Sequence, residues 1–86
     1  MFTKDSLRSS LISLFGEHAQ PNTPVTEESH ITGDLGIDSL AVMEIVSEIE
    51  DRFGLSFPDD ELPRIRTVGD VIMTIESRLQ TEGRLS

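Results

Sequence analysis

The sequence has no cysteine, no tryptophan and no tyrosine. Without cysteine there is no disulfide framework, no thiolate zinc site and no thiol of the chain's own. Any thiol chemistry must come from an attached group. The aromatic residues are four Phe; these are assigned to the core, which leaves little to stack on nucleic-acid bases. No apolar run approaches the roughly 20 residues of a membrane span, and no charged-then-apolar leader opens the chain. The expected compartment is therefore the cytoplasm, with no membrane insertion. Positive charge is scarce as well. Seven Lys and Arg stand against sixteen Asp and Glu, a net charge of −9, which argues against nucleic acid and anionic lipid as partners. Strand-like alternation, internal repeats and Ser/Gly/Pro linkers are all missing, so the 86 residues read as one small domain, expected to be a monomer. At this size folding buries only about 60% of the unfolded chain's surface, so stability should be modest.

The usual signs of catalysis are missing too. A serine hydrolase needs a base near its nucleophile, and only His18 and His30 are on offer. Neither sits in a triad setting, and no G-x-S-x-G surrounds a serine. A calcium loop starting at Asp34 fails, because Gly36 replaces a ligand and Ile45 stands where the bidentate Glu must be. Carboxylates on exposed helix faces are poorly placed for the raised pKa that general acid work requires. The chain is expected not to be an enzyme and to bind no metal.

What is present is helical periodicity. Phe2 and Leu7 flank a possible Thr3 cap as a hydrophobic staple. Leu7, Leu11, Leu14 and Phe15 then keep helical spacing over about residues 4–16, with Ile12 at the margin and Gly16 as the stop. Residues 17–38 form one long loop, broken by Pro21 and Pro24, with Val25, Ile31, Leu35 and Ile37 as apolar anchors. Val42, Ile45, Val46, Ile49 and Phe53 stand at offsets 0, 3, 4, 7 and 11 of a helix over 39–53 that Gly54 ends. Leu55 and Phe57 lead to a short element over about 59–65. Its Pro63 lacks the N–H of a full helical turn, which predicts a 3₁₀ turn or a single turn of helix. Thr67 and Asp70 make a capping-box variant for a last helix over 68–80. There Val68, Val71, Ile72, Ile75 and Leu79 repeat the same offsets, so the two stripes are expected to face one another. Residues 81–86 read as a frayed tail.

The stretch that organises the chain is DLGIDSL, Asp34 to Leu40. Asp38 is suited to an N-cap, which puts Ser39 at the first helical position, at the positive end of a helix dipole. A phosphate ester there would meet a favourable field. Around it, from Asp34 to Glu61, nine acids stand against one base, Arg52. Two apolar residues, Leu40 and Met43, fall off the core stripe just beyond Ser39, beside an acidic row of Glu44, Glu48 and Asp51. They read either as ordinary exposed or edge-packed apolar residues or as a small greasy contact ringed by carboxylates, suited to a basic groove on a partner.

DLGIDSL, then AVMEIVSEIEDRFGLSFPDD, then RTVGDVI, resembles the acyl carrier proteins, in three blocks that agree in order and spacing over residues 25 to 79. The resemblance implies an all-α, four-helix acyl-carrier-like bundle: three main helices, a short third helix or 3₁₀ turn, and a long first loop. It implies 4′-phosphopantetheine, derived from coenzyme A, attached covalently to Ser39, with Asp38 helping a phosphopantetheinyl transferase recognise the site. It implies that acyl groups ride on the arm as thioesters, in fatty-acid, polyketide or specialised-lipid synthesis. It also implies that Leu40, Met43, Glu44, Glu48 and Asp51 dock enzymes with basic surfaces, such as ketosynthases. Many family members carry an acid directly after DSL, where this chain has Ala41; that bears on partner range. Two other readings fit the residues: an aminoacyl or peptidyl carrier loaded by an adenylating enzyme, and an acidic helical interaction module with no prosthetic group.

Overall fold

Thr3 starts the first helix with a reciprocal cap. Its hydroxyl accepts the Ser6 N–H at 3.1 Å, and Ser6 Oγ accepts the Thr3 N–H at 3.2 Å. In the computed structural model, which describes residues 2–57 and 59–85 (for Asp59 the backbone only), this helix, α1, spans Lys4–His18. It runs two residues past the stop expected at Gly16. That glycine is exposed and helical, with nothing within 4 Å of where a Cβ would stand, so it does not interrupt the ladder. The helix ends instead at Ala19, whose backbone is extended. The second helix, α2, spans Ser39–Phe53, and α3 spans Val68–Thr81. Between them Asp59–Arg64 form a 3₁₀ helix with Pro63 inside it. A 3₁₀ turn bonds each N–H three residues back and survives in short pieces, so it tolerates the missing donor better than an α-helix would. Three helices and one 3₁₀ element, with no strand among the described residues, make the fold all-α.

The apolar stripes meet in one core. Leu7, Leu11, Leu14 and Phe15 of α1, Ile45, Ile49 and Phe53 of α2, and Val68, Val71, Ile72, Ile75 and Leu79 of α3 are all buried in it. The stripes of α2 and α3 do not simply face each other, as their equal spacing predicts. The helix that packs closely against both is α1. The rest of the core comes from the loop, which buries Ile31, Leu35 and Ile37.

The loop is tied down by more than its apolar side chains. At the start of α3 the Val68 N–H donates to the Ser29 carbonyl at 3.1 Å, and the Gly69 N–H to the Glu27 carbonyl at 2.8 Å. Donors that a helix start leaves without intrahelical partners are thus taken by the loop. A Cβ on residue 69 would come within 2.9 Å of that Glu27 oxygen, so the close approach requires glycine. The Ile31 N–H donates to the Arg66 carbonyl at 3.0 Å, one residue from a bridge between His30 and Thr67.

Asp70 finishes the α3 cap. One carboxylate oxygen accepts both the Arg66 and the Thr67 N–H, each at 3.0 Å. The Thr67 bond, then the Arg66 bond, holds its carboxyl below the usual carboxylate range. A depressed carboxyl pKa adds stability above the unfolded value of about 3.9, and that stability is lost as pH falls through the folded value. Asp70→Ala is therefore expected to cost about 1–2 kcal/mol at neutral pH, toward the low end for charged hydrogen bonds because solvent reaches the group. The gap between variant and wild type should close below about pH 4. Urea melts of both proteins at pH 7 and pH 3 check this; a gap unchanged at pH 3 contradicts it.

The tail is not frayed through residue 85. After α3, the Gly83 N–H bonds the Gln80 carbonyl at 3.1 Å and the Arg84 N–H the Leu79 carbonyl at 2.7 Å. The Phe2 N–H then donates to the Arg84 carbonyl at 2.9 Å, and Phe2 and Leu85 form a parallel bridge. Both side chains pack against the core, the Phe2 ring lying 5.0 Å from that of Phe53. The Arg84 guanidinium sits 5.7 Å from the centre of the Phe2 ring and donates to the Phe53 carbonyl at the end of α2. Apolar burial and a cation at a helix C-terminus order what composition alone reads as polar and loose. Ser86 lies outside the described residues.

Candidate functional site

DLGIDSL turns the chain from the buried loop into α2. Leu35 and Ile37 point into the core, while Gly36 between them adopts φ +67°, a left-handed conformation that glycine reaches without strain. Two buried side chains and a tight turn thus fix where the exposed residues that follow emerge. The Asp34 carboxylate closes the preceding turn by accepting the His30 N–H at 2.7 Å.

Asp38 is the N-cap, in extended conformation. Its Oδ1 accepts the Ala41 N–H at 2.8 Å, and its carbonyl accepts the Val42 N–H at 2.9 Å. Ser39 is the first residue of α2; it is exposed, and its hydroxyl makes no hydrogen bond among the described residues. The oxygen is therefore free for chemistry and sits at the helix's positive end.

Past Ser39 the sorting of side chains follows the helical period, with one exception. Ile45, Val46, Ile49 and Phe53 are buried. Val42, which spacing puts in the same stripe, is only half-buried: it packs against the core and also lines a groove. Leu40 and Met43 are open, with 69% and 59% of their surface exposed, values well above those of core residues. Glu44, Glu48 and Asp51 are exposed around them. Arg52 reaches Glu48 across one helical turn at 3.8 Å, a contact of small worth between half-exposed groups. Glu44 and Asp51 make neither an ion pair nor a side-chain hydrogen bond among the described residues. Glu50 differs: its Oε2 accepts the Phe57 N–H at 3.0 Å, so it anchors the segment after α2. Glu61 differs as well, pairing with Arg78 at 2.8 Å. The uncompensated acids should repel one another. The melting temperature is expected to rise by a few degrees between low and moderate ionic strength, and a melt in about 10 mM against about 200 mM salt checks it.

The groove of about 600 Å³ beside Ser39 has walls from three segments. Ser39, Val42 and Met43 come from α2, His30, Ile31 and Thr32 from the loop, and Leu62, Pro63, Ile65 and Arg66 from the 3₁₀ helix and the residues after it. Of these, the sequence singles out Ser39 and Met43 as site residues. The rest of the wall is assembled from distant segments.

No helix is long and apolar enough to cross a membrane, and no group of His, Asp and Glu is set to hold a metal, among the described residues.

The fold matches that of a candidate acyl carrier protein from Mycobacterium tuberculosis, with a TM-score of 0.75 at 24% sequence identity, over 83% of this chain and 96% of that one. At this identity the likeness speaks for the fold. The family model of the phosphopantetheine attachment site matches residues 5–75, from the first turn of α1 to Ile75 of α3. The span takes in the capped serine, the groove and most of the core, and the chain belongs to the phosphopantetheine attachment-site family, whose prosthetic group is covalently bound 4′-phosphopantetheine.

Proposed function

We propose that this phosphopantetheine carrier is an acyl carrier protein, with Ser39 as its attachment point. The observation that carries the reading is the Ser39 hydroxyl: exposed, unbonded, at the first turn of a capped helix and on the rim of a largely apolar groove. These residues fit the group. An anionic ester on Ser39 Oγ would stand in the positive field of α2, and the groove offers Ile31, Val42, Leu62 and Ile65 to apolar parts of the arm or its load. Once bound, the prosthetic group supplies a thiol that holds acyl units as thioesters.

The chain's own residues hold and present. Asp38 fixes the first turn, so that Ser39 emerges at one place and angle for a phosphopantetheinyl transferase. Leu40 and Met43, exposed amid Glu44, Glu48 and Asp51, form a docking face for enzymes with basic surfaces, such as ketosynthases. Among the described residues no side chain bonds the Ser39 hydroxyl as a base would, which supports a role in presentation. Acyl cargo fits the apolar walls better than an aminoacyl group, whose ammonium would find no carboxylate among the groove residues. Fatty-acid, polyketide and specialised-lipid synthesis in the cytoplasm all use such a load, and a monomer suffices for it.

The test is direct. Incubated with coenzyme A and a broad-specificity phosphopantetheinyl transferase, the purified chain should gain the mass of one phosphopantetheine, and fragmentation should place it on Ser39. An unchanged mass, or an adduct on another residue, overturns the assignment. For the docking face, Glu44→Lys with Glu48→Lys is expected to raise the transferase KM about 3- to 10-fold with kcat little changed, since exposed charges act on encounter and affinity. Steady-state kinetics at two ionic strengths check this, and the deficit should shrink at the higher one.

A further inference from the structure

The core holds no sulfur among the described residues. Its buried side chains are leucine, isoleucine, valine and phenylalanine. Cysteine is absent and methionine occurs three times. Met1 lies outside the described residues, and Met43 and Met73 are 59% and 69% exposed. These thioethers stand in water, where an oxidant reaches them without any unfolding. Until a prosthetic arm is attached, the chain has no thiol to compete for that oxidant.

The two exposed methionines are not equivalent. Met43 sits on α2, one helical turn beyond Ser39, beside the exposed Leu40 and in the wall of the same groove as the serine. An enzyme that delivers a group to the Ser39 oxygen must stand over this turn. Met73 is on α3 and takes no part in the groove. The positions one turn from it, Gly69, Asp70, Glu76 and Ser77, supply no second large apolar side chain. In its ordinary state the Met43 thioether is a flexible apolar contact that adapts to a partner's surface. Oxidised, it carries a polar S–O group, and covering that oxygen without a hydrogen bond costs free energy.

We propose that Met43 is a peroxide-sensitive modification site that governs loading: its conversion to the sulfoxide weakens docking of the transferase at Ser39. The proposal rests on the carrier reading above and adds a control on its first step. A sulfur lone pair attacks one oxygen of a hydroperoxide, and the S–O bond forms as the O–O bond breaks. The departing oxygen takes the proton and leaves as water or an alcohol. Sulfur loses two electrons and the peroxide gains them. A methionine sulfoxide reductase with a dithiol reverses the change, releasing the oxygen as water and the dithiol as a disulfide. The thiol of a loaded arm draws oxidant to itself, so the unloaded chain is the form this site controls.

In the experiment the unloaded chain is treated with hydrogen peroxide, freed of it, and offered to the transferase with coenzyme A. Peptide mass mapping reads the sulfoxide at Met43 and Met73. Steady-state kinetics read loading for wild type, Met43→Leu and Met73→Leu, each against its own untreated form. Both methionines should oxidise. Oxidation should raise the wild-type KM by about 3- to 10-fold, the scale of one partly covered apolar contact, with kcat little changed. Met73→Leu should show the same rise, and Met43→Leu none, although it retains Met73. Reductases for both sulfoxide epimers, with dithiothreitol, should restore the wild-type KM. The melting temperature should not move, since neither side chain is in the core. Met43 left unoxidised while Met73 reacts overturns the proposal, as does an unchanged KM in fully oxidised wild type. An equal rise in Met43→Leu overturns it too, by assigning the effect to another residue. If the untreated chain does not load at Ser39, the carrier reading fails and takes this one with it. If it loads and oxidation changes nothing, only this one fails.

Discussion

Ser39→Ala is expected to abolish phosphopantetheine attachment while leaving the fold as it was. The two halves of that result have different physical causes. The lost hydroxyl is the only atom of residue 39 able to form the ester. Because it is exposed and makes no hydrogen bond among the described residues, its removal leaves no buried group unsatisfied. Alanine is also at least as good a helix former as serine, so stability should stay within about 0.5 kcal/mol of wild type. Asp38→Ala should give the opposite balance. It removes the acceptor of the Ala41 N–H, at a cost of about 0.5–2 kcal/mol, while the nucleophilic oxygen remains. Attachment should then slow and not vanish. Intact mass after transferase treatment, with thermal melts alongside, separates the two variants. Full modification of Ser39→Ala would remove Ser39 from the site altogether.

The parts of this fold legible in the sequence are those written at short range. The stripes of α2 and α3 follow a single period, and the Thr3, Asp38 and Thr67 caps each act over three residues. Pro63 announces the 3₁₀ helix by the donor it lacks. Leu40 and Met43 stand out because Ser47 and Glu50 continue their face as polar. What could not be read depends on residues far apart in the chain. The bond from Gly69 to Glu27 spans forty-two positions, and nothing local to either residue signals it. The tail reads as loose because the contacts that seat Arg84 and Leu85 on the core, with Phe2 and Phe53, come from the threshold of α1 and the end of α2. Val42 keeps the core's spacing and packs against the core, but at the first turn it also borders the groove and is only half-buried. The groove itself, with Arg66 in its wall, exists only once three segments are brought together.

Leu35→Ala is expected to be the most damaging single change outside the helices. The side chain is fully buried, although it belongs to the long loop, and it shares a core cluster with residues of all three helices. Truncating a buried leucine typically costs about 2–5 kcal/mol, from lost transfer energy and the cavity left behind. A domain of this size has about 4–13 kcal/mol in total at the usual 0.05–0.15 per residue. The melting temperature should fall by about 10 °C or more. Function should suffer ahead of global unfolding. The Leu35 carbonyl accepts the Gln20 N–H at 3.2 Å and its N–H bonds the His30 carbonyl at 3.0 Å, so this residue joins the start of the loop to its end. Four positions later comes Ser39. Loosening Leu35 should therefore let the start of α2 wander, and attachment should slow at temperatures where circular dichroism still reports a folded protein. Leu35→Met, which keeps volume and apolarity, should cost less than about 1.5 kcal/mol and retain most of the rate. If Leu35→Ala melts with the wild type, the loop is held by its backbone bonds alone, and the apolar anchor assigned here has no mechanical role in presenting the serine.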